Sequence, residues 1–286
     1  MYTKRSYLFV PGTSLKMIEK ALGSEADSVI IDLEDAVAIN EKKAARETAV
    51  VALQSNCPKK DVYIRINDIT TPLWREDLIA AIDAGAIGII VPKAESAGNM
   101  KFICQTALEH FEKKNKNGNL FEVLPLIETA RGIHCAYDIA SSHFLIPRLV
   151  FGSIDFSLDV DCQLTEQGDE LLYARSQIVI ASKAAGVGSP VDAVYPGLGN
   201  EQGLKSEALR SRQLGFRSKL AIHPKQLDPI HDVHTPSQKE VEEAMNIVKV
   251  FELAEHQGCA SISIGEKFVD YPVYKKAKTI LQYASL

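Results

Sequence analysis

The chain has 286 residues, 46% hydrophobic and 24% charged, with a formal net charge of −5, the mixture of a soluble globular protein of one large or two small domains. No basic block stands against the acidic average and no run approaches the length of a membrane span, so neither nucleic acid nor a membrane is an expected partner. A local basic pocket for a small anion is still compatible with that charge.

Arg5–Val10 reads as a strand closed by the Pro11-Gly12 turn, and Thr13 or Ser14 can cap a helix over Leu15–Leu22. That helix carries Lys16 and Lys20 on one face. Ser28–Asp32 is a second strand, emptying into Leu33-Glu34-Asp35, and a charged helix spans Glu41–Leu53. A third strand, Asp61–Ile66, holds Arg65 and ends at Asn67; Leu73–Ala84 is helical, with Gly85 as its stop. Strand four, Ile87–Val91, runs into Pro92-Lys93, and Ala97–Lys114 is helical.

Strands five and six organise the rest. Val123–Ile127 ends directly on Glu128, and Leu149–Gly152 is followed within a short turn by Asp155, with a helix expected from Thr129 to about Leu145. In a βαβ unit parallel strands end at one rim, so the two carboxylates face one pocket. Two converging carboxylates form a hard-oxygen site suited to Mg²⁺, which keeps waters and leaves positions for a chelating substrate.

Gln167–Ala185 is a long helix, Pro190–Val194 a short strand, Glu201–Leu214 a helix, and Lys219–Ile222 the eighth strand, followed by His223-Pro224. Eight strands alternating with helices match a (β/α)₈ TIM barrel, typically about 250 residues. No glycine-rich phosphate fingerprint follows strand one, which disfavours a doubly wound sheet. The expected division is a barrel over residues 1–228 and a C-terminal extension over 229–286. In the extension, 229–236 reads as loop, Ser237–Gln257 as helix, Ala260–Ile264 as a weak strand and Pro272–Tyr283 as helix. Such a tail is too short for a sizeable core, so it is expected to pack on the barrel or on a neighbouring subunit.

The barrel places Glu34, Asp35, Arg65, Asn67, Lys93, Glu128, Asp155 and His223 at strand C-termini, where active sites of this fold lie. Arg65 interrupts an apolar run, so it either pairs with a rim acid or binds a substrate carboxylate. Glu34 and Asp35 either orient metal-bound waters or pair with the basic residues of the next helix. Lys93 is a Schiff-base candidate or an ion-pair member, and His223 a site residue or a satisfied structural histidine. Five dispersed cysteines (Cys57, Cys104, Cys135, Cys162, Cys259) without a CxxC pair argue for reduced thiols rather than disulfides or zinc. With an N-terminus that lacks a cleavage-type flank, they give the expectation of a cytoplasmic protein.

Arg5–Gly12, Asp32–Val37, Arg65-Ile-Asn67, Pro92-Lys93, Leu126-Ile-Glu128, Phe151–Asp155 and Ile222-His-Pro224 together resemble the citrate lyase β-subunit family. That family includes the malyl-CoA, β-methylmalyl-CoA and citramalyl-CoA lyases, and the likeness runs nearly end to end. The resemblance implies a Mg²⁺-dependent lyase of CoA thioesters on a (β/α)₈ barrel, assembled as a homo-oligomer (trimer or hexamer). It implies Glu128 and Asp155 as metal ligands, and Arg65 as the arginine on the keto-acid part of the substrate. It also implies Phe9, Lys16 and Lys20 at the CoA, and Ile222 and His223 as further substrate contacts. Phe268–Pro272 resembles the segment that carries the acid/base, here Asp270, on a lid over a neighbouring subunit's site. Asp161 stands where relatives often carry glycine, which bears on the turn after strand six.

The expected reaction cleaves a 3-hydroxyacyl-CoA thioester to an acyl-CoA and a 2-keto acid, or runs the reverse condensation. A thioesterase side activity follows if water enters the same site. Two other readings remain: a metal-dependent aldolase on free 2-keto acids, and a non-catalytic or complex-forming subunit that meets a carrier protein.

Overall fold

Short runs rich in Val, Ile and Leu, separated by helical segments, leave the strands no antiparallel partner within hairpin reach, and they pair in parallel. The computed structural model describes residues 4–56 and 60–284; Cys57 lies outside them. Eight parallel strands close into a ring in strict chain order: β1 Ser6–Pro11, β2 Ser28–Asp32, β3 Asp61–Arg65, β4 Gly88–Val91, β5 Glu122–Ile127, β6 Val150–Phe151, β7 Val191–Asp192 and β8 Ser218–Ala221. The helices between them are α1 Leu15–Leu22, α2 Lys42–Asn56, α3 Trp74–Ala84, α4 Ala97–Lys113, α5 Ala130–His134, α6 Ala136–Ala140, α7 Ser153–Asp159, α8 Leu172–Ala184 and α9 Glu201–Leu214. This is the (β/α)₈ barrel expected from the sequence.

Chain contacts divide the protein into two compact units, Lys4–His231 and a second from Asp232 onward. The boundary falls within α10, Leu227–His234; the second unit also contains α11 Gln238–His256, β9 Ser261–Ile264, β10 Lys267–Asp270 and α12 Tyr271–Ala284.

Three local expectations need correction. The single helix expected from Thr129 to Leu145 is two short ones, α5 and α6, ending at Ala140. The Ser141 and Ser142 hydroxyls donate back to the carbonyls of Tyr137 and Ile139 and end it there. Residues 229–236 are not all loop, because α10 occupies most of them. Pro229 sits in its first turn, where no backbone N–H is needed. The weak strand near Ile264 has a partner the sequence did not reveal: β9 and β10 form an antiparallel hairpin through Gly265, at φ +61°.

Alternation along the strands sorts side chains into two layers. Tyr7, Ile30, Tyr63, Ile90, Leu124, Leu126, Val150, Val191 and Leu220 fill the barrel interior, while their neighbours pack outward against the helices. Asp161 keeps a left-handed conformation, φ +53°, so the turn after α7 holds the geometry that suits glycine; aspartate is one of the few residues that tolerate it. Ala244, Ile247, Phe251, Val269 and Ala277 form a small apolar cluster in the second unit, with Phe251 stacked on Tyr274. Among the described residues no helix is long and apolar enough to cross a membrane. Cys104, Cys135, Cys162 and Cys259 are free thiols.

Between β7, β8, α8 and α9 lies a buried ion network. Lys219 Nζ donates to Asp192 Oδ2 and to Glu207 Oε1, each at 2.7 Å, and Arg175 Nε donates to Asp192 Oδ1 at 2.8 Å. Burial alone would raise the Asp192 carboxyl, but Arg175 and Lys219 hold it well below the usual carboxylate range. Its stabilising contribution is therefore present above the ordinary carboxylate pKa and lost only in strong acid. Asp192→Ala leaves Arg175 and Lys219 sharing Glu207 alone, and is expected to cost about 3–5 kcal/mol. Urea denaturation at neutral pH measures this; a loss below about 1 kcal/mol would show that water already solvates the network.

Candidate active site

The interior series of β1, β2, β3 and β5, continued two residues at a time, arrives at the rim on a polar or aromatic group. Tyr7 leads to Phe9, Ile30 to Asp32, Tyr63 to Arg65, and Leu124 through Leu126 to Glu128. The site is thus the top layer of the barrel interior, where the apolar filling stops.

Register sets the first pair. Asp32 and Arg65 stand side by side on β2 and β3. Arg65 Nε and Nη2 donate to the two oxygens of Asp32 at 2.7 and 2.6 Å, a bidentate fork. Asp32 also accepts the Glu34 and Ala36 N–H groups, which folds the loop after β2 over the site. Nη1 of Arg65 reaches Glu34 Oε2 at 3.1 Å and Asp35 Oδ2 at 3.3 Å. The Phe9 ring lies under the guanidinium, 5.0 Å from its carbon. Burial disfavours the charge on Arg65, but the hydrogen bonds and charge of Asp32 outweigh it and keep the guanidinium protonated.

Sequence reasoning missed Asp32. The signal was available: strands of equal length in parallel register place residue 32 opposite residue 65. Of the two readings of Arg65, the pairing with a rim acid is what is seen: all three guanidinium nitrogens face Asp32, Glu34 or Asp35.

Lys93 follows β4 with φ +47°, a left-handed backbone that a lysine seldom adopts. Its N–H donates to Glu128 Oε1 at 2.8 Å and its Nζ donates to Glu34 Oε1 at 2.7 Å. Although partial burial works against it, the bond to Glu34 raises the lysine pKa. An amine held protonated by a carboxylate is not a Schiff-base nucleophile, so the ion-pair alternative holds. Glu34 itself is raised, by burial first, with Arg65 and Lys93 pulling the other way.

Glu128 is 2% exposed. Gly152 makes room for it: a Cβ at residue 152 would come within 2.6 Å of Glu128 Oε2. Asp155 lies in the first turn of α7, half-buried, with no hydrogen-bond or ion-pair partner among the described residues. Burial, and then the Asp155 charge, push the Glu128 carboxyl up to about 8, against the Lys93 N–H. Two carboxylates that repel each other in a dry pocket are stabilised by a cation between them, and the all-oxygen donor set suits Mg²⁺. Among the described residues no three acidic, histidine or cysteine side chains gather as a metal-holding group. A divalent ion here would complete its shell with water and substrate.

The other candidates are distributed around this centre. Lys16 and Lys20 are exposed, one turn apart on α1. Ile222 follows β8, 41% exposed, its N–H bonded to the side chain of buried Gln226. His223 Nδ1 accepts the Lys225 N–H and caps a 3₁₀ turn, a structural task that leaves Nε2 available. Asn67 is occupied: its backbone and side-chain N–H groups both donate to Asp77. Asp270 belongs to the second unit, closing β10 and accepting the Val273 N–H at the start of α12.

The family described as HpcH/HpaI aldolase/citrate lyase matches residues 5–224. The citrate lyase subunit beta of Haemophilus influenzae is 33% identical over 285 residues, covering 99% of this chain and 98% of that protein. An L-malyl-CoA/beta-methylmalyl-CoA lyase of Cereibacter sphaeroides is 31% identical, covering 99% and 95%. The crystal structure of CitE from Mycobacterium tuberculosis in complex with magnesium, acetoacetate and coenzyme A superposes with a TM-score of 0.80, at 27% identity over 99% of both chains. The chain belongs to the HpcH/HpaI aldolase/citrate lyase family.

Because the Glu128 pKa lies above its unfolded value, its stabilising contribution is complete below about pH 4 and lost as the pH rises through about 8. In chelator, the protein is expected to lose stability over that window. Glu128→Gln should flatten the loss and melt higher than wild type at the alkaline end. Parallel pH profiles for the two proteins would show that Glu128 does not carry the strain.

Proposed function

We propose that this chain is a Mg²⁺-dependent carbon–carbon lyase of 3-hydroxyacyl-CoA thioesters of the malyl, citramalyl or citryl type. Buried Glu128 beside Asp155, which has no hydrogen-bond or ion-pair partner among the described residues, next to the Arg65–Asp32 fork, is the observation that carries this reading. The likeness over the full chain to a magnesium- and CoA-bound CitE supports it.

Glu128 and Asp155 would hold the ion, and Mg²⁺ bound there would supply Lewis-acid polarisation of the substrate oxygen next to the carboxylate. Arg65, steadied by Asp32 and Phe9, orients that carboxylate and balances charge as the bond breaks. In cleavage the substrate hydroxyl gives its proton to solvent water and becomes the keto group. The C–C bonding pair passes to the carbon beside the thioester, and Asp270 protonates the resulting enolate. In condensation the same carboxylate removes that proton. Lys16 and Lys20 face the CoA phosphates, with Ile222 and His223 as further contacts, so binding energy from the remote end positions the reacting carbon. Glu34 and Asp35 orient metal-bound water and the guanidinium.

The C-terminal segment, taken from about residue 229, acts as a lid that brings Asp270 to a neighbouring subunit's site in a homotrimer or homohexamer. The protein works in the cytoplasm. A second reading is favoured by the citrate lyase beta subunits among the relatives: a subunit acting on a carrier-bound substrate within a larger complex. It predicts stable co-purification with a partner and no turnover alone.

Glu128→Ala and Asp155→Ala are each expected to abolish Mg²⁺-dependent cleavage with the fold intact. Gly152→Ala, by crowding the Glu128 carboxylate, is expected to weaken Mg²⁺ binding by about 10-fold or more. Asp270→Asn should lose turnover while retaining metal and substrate binding. A panel of 3-hydroxyacyl-CoA thioesters, scored for keto acid and for free thiol, separates lyase from thioesterase. Full activity in excess chelator would overturn the metal assignment, and cleavage of free keto acids without any CoA-induced rise in melting temperature would favour the aldolase.

A further inference from the structure

Lys93 touches both halves of the site. Its backbone N–H holds Glu128, on the metal side, and its ammonium holds Glu34, whose other oxygen lies 3.1 Å from Arg65 on the keto-acid side. In this left-handed turn, φ +47°, the Lys93 N–H and side chain go to separate carboxylates. Such a backbone is unfavourable for any residue with a Cβ and persists only where surrounding contacts fix it.

Glu34 is 6% exposed, and its Oε2 has no hydrogen bond, only the ionic approach of Arg65. Without the ammonium, Arg65 is the cation left at ion-pair distance from this carboxylate among the described residues, since Lys42 is tied to the Leu33 and Glu34 backbone carbonyls. We propose that Lys93 is a positioning residue: it shares Glu34 with Arg65, keeping Glu34 from closing on the guanidinium, while its left-handed N–H fixes Glu128. The proposal rests on the reading of Glu128 as a metal ligand and of Arg65 as the keto-acid anchor. Lys93 thereby sets the spacing between the ion and the arginine, the two groups a keto acid must reach together.

The two links are separable because glycine keeps the turn without the ammonium, whereas alanine lacks both the ammonium and glycine's freedom at positive φ. Lys93→Gly, Lys93→Ala, Glu34→Gln and the double variant Lys93→Gly/Glu34→Gln are compared in the full chain. Calorimetry with Mg²⁺ alone, and with pyruvate at saturating Mg²⁺, gives the two affinities. Mg²⁺ affinity should stay within about twofold of wild type in Lys93→Gly and fall about 10-fold in Lys93→Ala. Pyruvate affinity should fall about 10-fold in Lys93→Gly and recover to within about threefold in the double variant, where Glu34 no longer competes for Arg65. A residue that merely supports the fold would show no such rescue. Unfolding in chelator gives a metal-independent check: the Lys93→Gly and Glu34→Gln effects should be non-additive. Additive effects, or a Lys93→Gly variant that binds pyruvate as wild type does, would overturn the clamp. If wild type itself takes up no Mg²⁺, the metal reading fails, and the unfolding cycle still decides whether Lys93 and Glu34 act as a unit.

Discussion

Closure of eight parallel strands into one ring is the constraint on which the rest depends. A parallel ring has all its strand ends at one rim, and alternation leaves only every second residue pointing inward. Below the rim those inward positions are Tyr, Ile, Leu and Val, which fill the interior. At the rim the same positions become Phe9, Asp32, Arg65 and Glu128. The site therefore needs no separate scaffold. Phe9, Asp32, Arg65 and Glu128 each stand two residues above a side chain of the barrel filling.

Charge is treated differently in two parts of the barrel. Outside β7 and β8, Asp192 is met by both Arg175 and Lys219, with Glu207 completing the set. That network pairs each of its charges, leaving Arg175 Nη1 without a hydrogen bond among the described residues, and reads as structural. At the rim, by contrast, Asp32, Glu34, Asp35, Glu128 and Asp155 face Arg65 and Lys93, with Lys42 behind the loop after β2. Acids outnumber cations, and the surplus falls on Glu128 and Asp155. A pocket in that condition is unfavourable by itself and becomes favourable when a divalent ion enters, which is the physical content of the metal reading. The strained backbone of Lys93 belongs to the same imbalance, because it lets one residue serve two of the surplus acids.

The fold was legible because its signals are local and repeated. Runs such as Ser28–Asp32, and stops such as Gly85 and Gly215, mark strand and helix ends without reference to the rest of the chain. The failures were equally local. Pro229 looks like a breaker but is harmless in a helix's first turn, and β10 is too short to show a period. Glu128 and Asp155 were found because each follows an apolar run. Asp32 was passed over as the end of a strand, since its role depends on which residue of β3 lies beside it.

By itself, then, the amino-acid order determined the barrel, the rim, and the residue types that gather there, since periodicity and strand-end chemistry are properties of short segments. It also carried the family likeness, which motifs in series preserve. Tertiary structure alone decided the partnerships: the Arg65 fork on Asp32, the close approach of Gly152 to Glu128, and the bond from Lys93 to Glu34 rather than to substrate. These span 24 to 59 residues of chain, the last being the longest. No local pattern encodes such pairs; they exist only once the ring has closed and strand register has brought distant residues to one rim.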